Sequence, residues 1–151
     1  MRNRRRLITT GMLVVLALAL GACSSGEKKA DEGEAGGGGT ETCSGSPVPA
    51  GQLQLPEGFP TPDGVTFTES EMEGPSGVAD GYFEGDVKDA HDEWKAAFTD
   101  ANYTVVSDEL EEHDSEVNYE SADGSSTGQV ALREECKEGG RTAVHITDRP
   151  A

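Results

Sequence analysis

The sequence predicts an α+β domain, in which a mostly antiparallel sheet of five or six strands carries one amphipathic helix on one face. One stretch near the middle of the chain repeats apolar residues at helical spacing, and shorter stretches on both sides alternate apolar with polar residues. Turn sequences rich in glycine separate these stretches. Strands before and after a single helix favour an antiparallel α+β layer over a parallel sheet.

A single small acidic domain is predicted over residues 53–150. Its first apolar residues are Leu53 and Leu55, and its length of about 100 residues is that of one compact domain. Two strands are predicted at 65–68 and 78–83, with a Gly/Pro/Ser segment between them that favours a turn.

The helix is predicted to begin after Asp86, whose carboxylate is placed to cap it, and to end at Asn102. Its apolar residues fall three and four positions apart, which puts them on one face, and charged residues occupy the other. The apolar set is Val87, Ala90, Trp94, Ala97, Phe98 and Ala101. We therefore expect Trp94 to lie in the core.

Four further strands are predicted after the helix, at 103–110, 116–121, 128–135 and 141–147. Asp123-Gly124 and Gly139-Gly140 stand where hairpin turns are needed. In the last strand His145 alternates with Val144 and Ile146, so its side chain is expected to face solvent.

The amino terminus has the three-part pattern of a secretory signal peptide over residues 1–22. Four arginines are followed by an apolar run over residues 12–20 and then by Gly21 and Ala22. The apolar run is shorter than the roughly 20 residues that a membrane-spanning helix needs.

Leu20, Gly21, Ala22 and Cys23 resemble the lipobox of bacterial lipoproteins. In that family the cysteine receives a diacylglyceryl group, the bond before it is cut, and the new amino terminus is often acylated, as with palmitate. The resemblance implies that Cys23 carries a lipid anchor on the extracytoplasmic face of the cell membrane. The residues alone leave one alternative, an ordinary signal peptide followed by an unrelated cysteine.

Residues 23–52 are predicted to be the lipidated cysteine and a flexible tether rich in Gly, Glu and Ser. A lipobox, such a tether and a small acidic domain are together similar to the small lipoproteins of high-GC Gram-positive bacteria. That wider resemblance implies no particular activity.

The charge of the chain excludes some partners. The full chain has 12 Lys+Arg and 29 Asp+Glu, for a net charge of −17. Loss of the four arginines in residues 1–22 would leave 8 Lys+Arg against 29 acids, a net charge of −21. Phosphate backbones and anionic lipid head groups are repelled by such a surface, so nucleic acid is not expected as a partner.

Cys43 and Cys136 remain once Cys23 is lipidated, and an oxidising compartment favours a disulfide between them. Two unpaired thiols are the alternative, because pairing geometry is not readable from sequence.

No motif predicts a catalytic, metal or cofactor site. His91, His113 and His145 do not have zinc-ligand spacing, and no serine stands in a nucleophile elbow. The densest acidic run, at residues 108–114, lacks the calcium-loop pattern and is interpreted as a solvated turn. The first hypothesis is a non-enzymatic interaction or structural module with an envelope protein partner. The alternative is a module that binds or senses a small ligand or cation in the cell envelope.

Overall fold

The structure is a computed structural model that describes residues 43–136 and 139–151. The predicted signal peptide over residues 1–22, the lipidation site Cys23 and the tether up to residue 42 lie outside the described residues. Within the described ranges, no helix is both long enough and apolar enough to span a membrane.

Six strands form one sheet in the spatial order β1-β2-β6-β5-β4-β3, and every neighbouring pair is antiparallel. A helix, α1, joins β2 to β3, and a short 3-10 helix precedes β1. This architecture confirms the predicted α+β class. The elements are the 3-10 helix (Ala50–Gln52), β1 (Val65–Glu73), β2 (Ser76–Glu84), α1 (Val87–Asp100), β3 (Thr104–Leu110), β4 (Asp114–Glu120), β5 (Ser126–Arg133) and β6 (Arg141–Pro150).

Both ends of α1 follow from the sequence as predicted. The Asp86 carboxylate accepts a hydrogen bond of 2.8 Å from the backbone N–H of Asp89, which satisfies one of the free donors of the first turn. After the last turn, Asn102 adopts a left-handed φ of 61°. The helix packs on β3, β4 and β5 and buries Val87, Ala90, His91, Trp94 and Phe98.

An aromatic cluster fills the space between α1 and the sheet. Trp94 and Phe98 come from the helix, Tyr119 comes from β4, and Tyr103 lies just before β3. Phe59 comes from the segment upstream of β1, and its ring centroid lies 5.6 Å from that of Tyr119 and 6.2 Å from that of Tyr103. The segment before β1 is therefore part of the core.

The first strand is longer than the predicted range of 65–68. It continues to Glu73 because β2 pairs with it along its whole length, with Glu73 opposite Ser76. A register shift between Phe67 and Glu69 marks a bulge. The glutamates in the second half of this edge strand interrupt the hydropathy alternation, so the sequence pattern did not predict that the strand continues there.

A disulfide links Cys43 to Cys136, with a Cα–Cα distance of 5.5 Å. Arg141 donates a 2.9 Å hydrogen bond from Nη1 to the Cys43 carbonyl oxygen. Farther along, the backbone N–H of Val48 donates to the carbonyl of Phe67 in β1 at 2.8 Å. The domain's contacts thus extend upstream of Leu53, the residue at which the hydropathy pattern predicted the domain to begin.

Candidate functional site

The β3 strand presents a free backbone edge. It is the last strand on its side of the sheet, and no backbone hydrogen bond from another described segment reaches its outer side. The opposite edge strand, β1, is partly covered because its Phe67 carbonyl accepts the Val48 N–H. A free edge of this kind can pair with an added strand.

Exposed apolar side chains also concentrate on β3. Val106 is 62% exposed and Leu110 is 42% exposed; Met72 on β1, at 51%, is the other large apolar side chain exposed among the described residues. The register of β3 shifts between Val105 and Ser107, so Val106 lies in a bulge. Bulges at sheet edges often re-aim a side chain away from its own sheet.

The acidic run at residues 108–114 does not act as one group. The Asp108 carboxylate turns toward the helix, where it accepts a 2.7 Å hydrogen bond from Lys95 Nζ. That bond is the main cause of the lowered pKa of Asp108. The interpretation as a solvated turn therefore applies to residues 111–113, while Asp108 belongs to the contact between α1 and β3.

His113 lies in this turn and is exposed. Its Nδ1 is 2.7 Å from Glu134 Oε2, and that hydrogen bond is the main cause of its raised pKa. Within the described part of the chain, no group of three or more His, Cys, Asp and Glu side chains could hold a metal ion.

The fold brings a serine, a histidine and an aspartate together beneath α1. His91 Nδ1 lies 2.7 Å from Ser115 Oγ, and His91 Nε2 lies 3.3 Å from Asp108 Oδ2. These residue types can form a nucleophile, base and acid. Ser115, however, is only 2% exposed, and its hydroxyl donates to the Glu109 carbonyl at 2.8 Å. No substrate can reach this oxygen, so the contacts of His91 with Ser115 and Asp108 stabilise the packing of α1 on β3 and β4.

The sheet face without the helix is polar, as the alternation predicted. His145 is exposed there, with Nδ1 2.7 Å from Asp80 Oδ1, and this hydrogen bond is the main cause of its raised pKa. The Arg141 guanidinium lies 4.1 Å from the centroid of the Tyr82 ring and 2.8 Å from Glu84. Neighbouring side chains thus satisfy several charges of this face.

A buried carboxylate lies at the other end of β6. Asp148 is 6% exposed, and its Oδ2 accepts hydrogen bonds from Tyr119 at 2.9 Å and from Ser126 at 3.0 Å. Burial raises the pKa of Tyr119, and the negative charge of Asp148 raises it further. No motif in the sequence singles out Asp148. A signal was present, because strand alternation puts Asp148 on the same face as Val144 and Ile146.

Asp148 lines a pocket of about 400 Å³. The pocket wall comes from the segment upstream of β1, from the β1–β2 hairpin, and from the β4–β5 turn with the carboxyl end of the chain. Its remaining residues are Leu53, Gln54, Leu55, Pro56, Met72, Pro75, Gly77, Ser125, Ser126 and Pro150.

The chain was compared with protein-family models, with curated proteins and with solved structures. No protein-family model matches it, no curated protein matches it, and no solved structure matches it.

Proposed function

We propose that this protein is a membrane-anchored envelope lipoprotein that acts as a non-enzymatic interaction module on the outer side of the cytoplasmic membrane. The lipobox-like sequence ending in Cys23 supports the anchor and the compartment. The acidic domain is the part that engages a partner, and the partner segment is extended and cationic.

The free edge of β3 is the observation that carries this proposal. It combines backbone groups that no other described segment pairs with and the exposed side chains of Val106 and Leu110. Main-chain hydrogen bonds to an added strand would supply affinity, and alternate side chains would supply selectivity.

Charge decides which strand is accepted. The Asp108 side chain pairs with Lys95 of α1, so the carboxylates left for a partner are those of Glu109 on β3 and of Glu111 and Glu112 in the turn. A second copy of the domain would bring these carboxylates against their own kind, which is unfavourable in a sheet. A lysine- or arginine-rich segment would meet opposite charge, and that attraction would also speed its encounter with the domain.

Site-specific photo-crosslinking in intact cells tests the proposal. A photoreactive residue replaces Val106 in one strain and the exposed helix residue Glu93 in a control strain. We expect a discrete membrane-associated adduct from position 106 that is absent from position 93, and that is reduced by Glu109→Lys. The adduct should also be lost with Cys23→Ala. Equal adducts from both positions, or an adduct unaffected by Glu109→Lys, would contradict the β3 edge as the docking surface.

A further inference from the structure

A glycine lies beside Asp148 on each of the two neighbouring strands. In the register of the sheet, Asp148 lies opposite Gly77 on β2 and Gly128 on β5. A Cβ atom on Gly128 would collide with the Tyr119 hydroxyl, and one on Gly77 would collide with the Gln54 carbonyl. The two glycines therefore let the tyrosine hydroxyl reach the carboxylate and let the upstream segment cross above it.

One oxygen of this carboxylate has no hydrogen-bond partner among residues 43–136 and 139–151. Both hydrogen bonds to Asp148 end on Oδ2, and within the described residues no donor reaches Oδ1 and no basic side chain pairs with it. Among the described residues, the fully buried side-chain N and O atoms that lack a hydrogen-bond partner are Trp94 Nε1 and Glu135 Oε2. Asp148 Oδ1 has no partner and is not one of these atoms, so it is not fully buried. Asp148 is one of the residues that line the pocket, so this oxygen belongs to the pocket wall.

The pocket is open to solvent and is lined by apolar side chains together with Asp148, Gln54 and two serines. Among its lining residues the apolar ones are Leu53, Leu55, Pro56, Met72, Pro75 and Pro150. Burial of a carboxylate without a cation is unfavourable, so a positive group that enters the pocket is stabilised there. The apolar side chains are complementary to an apolar stem that carries the positive group.

The donor set does not suit a metal ion. Calcium takes six to eight oxygen ligands and zinc takes four ligands, whereas Asp148 is the one carboxylate among the residues that line this pocket. An ammonium or guanidinium group needs only hydrogen-bond acceptors and can use the carboxylate directly.

We infer that the Asp148 pocket binds an organic cation, a primary ammonium or a guanidinium on an apolar stem. The pocket is separate from the β3 edge and does not depend on it. It also lies far from the point where the chain enters the domain. Arg141, at the other end of β6, holds Cys43, and seven residue steps along a strand span about 24 Å.

Titration of the full-length purified protein with n-butylammonium and n-butylguanidinium, followed by NMR chemical shifts around Asp148, tests the inference. Asp148→Asn retains an acceptor for Tyr119 and Ser126 but removes the charge. We expect it to weaken binding by at least about tenfold, because the cation loses a charged hydrogen-bond acceptor. The matched control, Asp92→Asn, removes one exposed charge from α1 and should bind as the wild type does. n-Butanol has the same stem without the charge and should not bind.

A second pair of variants keeps the test decisive if Asp148→Asn does not fold. Met72→Lys puts a positive charge at the exposed rim and should reduce n-butylammonium binding, whereas Val106→Lys makes the same charge change on the β3 edge and should not. Equal weakening by the two lysine variants would overturn the inference, as would equal binding by Asp148→Asn and Asp92→Asn, or displacement of n-butylammonium by an equal concentration of Ca²⁺.

The source of the cation is read from a further titration with a capped tripeptide that has lysine at its centre. Both results support the site: binding as tight as that of n-butylammonium indicates a protein side chain, and much weaker binding indicates a free small amine. Failure of every cation to bind would overturn this inference while leaving the crosslink at Val106 unaffected, so the two proposals are tested separately.

Discussion

The disulfide between Cys43 and Cys136 should contribute a large share of the domain's stability. The two cysteines are 93 residues apart in sequence. In the chain-entropy account, closing a loop of that length stabilises the folded state by about 4.7 kcal/mol at 25 °C, and residual structure in the denatured state lowers this figure. Small domains unfold with free energies of about 5–15 kcal/mol. Reduction should therefore lower the free energy of unfolding by about 2–5 kcal/mol.

Urea unfolding with and without reductant measures this loss, and Trp94, the chain's single tryptophan, reports it from the core. A Cys23→Ser background leaves only the two cysteines of the bridge. Alkylation of the denatured protein should find no free thiol before reduction and two afterwards. Reduction should also speed hydrogen exchange at the Val48 amide more than at amides within β4 and β5. A loss below about 1 kcal/mol would refute the reasoning, because the upstream segment would then be held by its packing alone.

Four other substitutions probe the fold. Trp94→Ala should lower the free energy of unfolding by about 3–5 kcal/mol, whereas Lys95→Ala, which removes an exposed ion pair, should lower it by under about 1 kcal/mol. Equal thermal shifts for the two would show that the wrong face of α1 is buried. Asp86→Ala should cost about 1 kcal/mol by loss of the helix cap, again read from urea unfolding. Asp80→Asn should lower the pKa of His145 in an NMR titration. The hydrogen bond to Asp80 raises the folded-state pKa of His145 above 6.5. The stabilisation from this pair is therefore present below about pH 6.5 and is lost as pH rises through the folded-state pKa. Asp80→Asn should accordingly be more destabilised at about pH 5.5 than at about pH 9.

The local features of the fold were readable from the sequence because each depends on neighbouring residues. The helix from Asp86 to Asn102 needs only a cap, a spacing of three and four, and a residue that tolerates positive φ. The pairing of β2 with β6 is different, since it joins strands that are distant in sequence. The packing of Phe59 in the core was likewise not predictable, because the residues around it follow neither the helical period nor the strand alternation.

The candidate sites were less predictable because they arise where distant strands meet. Alternation on β6 was sufficient to put Asp148 on the inner face, but the glycines opposite it on two other strands follow only from register. β3 has a free edge because it is the last strand in the sheet order, and the acidic run in its sequence does not predict that position. His91 was visible on its helix, yet its contact with Ser115 required the packing of α1 on β4.

Mass spectrometry of the protein extracted from cell membranes tests the central proposal, a lipid-anchored module, most directly. We expect the amino-terminal peptide to begin at Cys23 and to carry a diacylglyceryl group, with or without a further acyl chain on its amine, because two or three chains anchor a protein stably. Cys23→Ala should yield a soluble chain whose folded domain has the same urea midpoint as the wild type. An amino-terminal peptide with an unmodified Cys23 thiol, recovered from a protein that still sediments with membranes, would contradict the account.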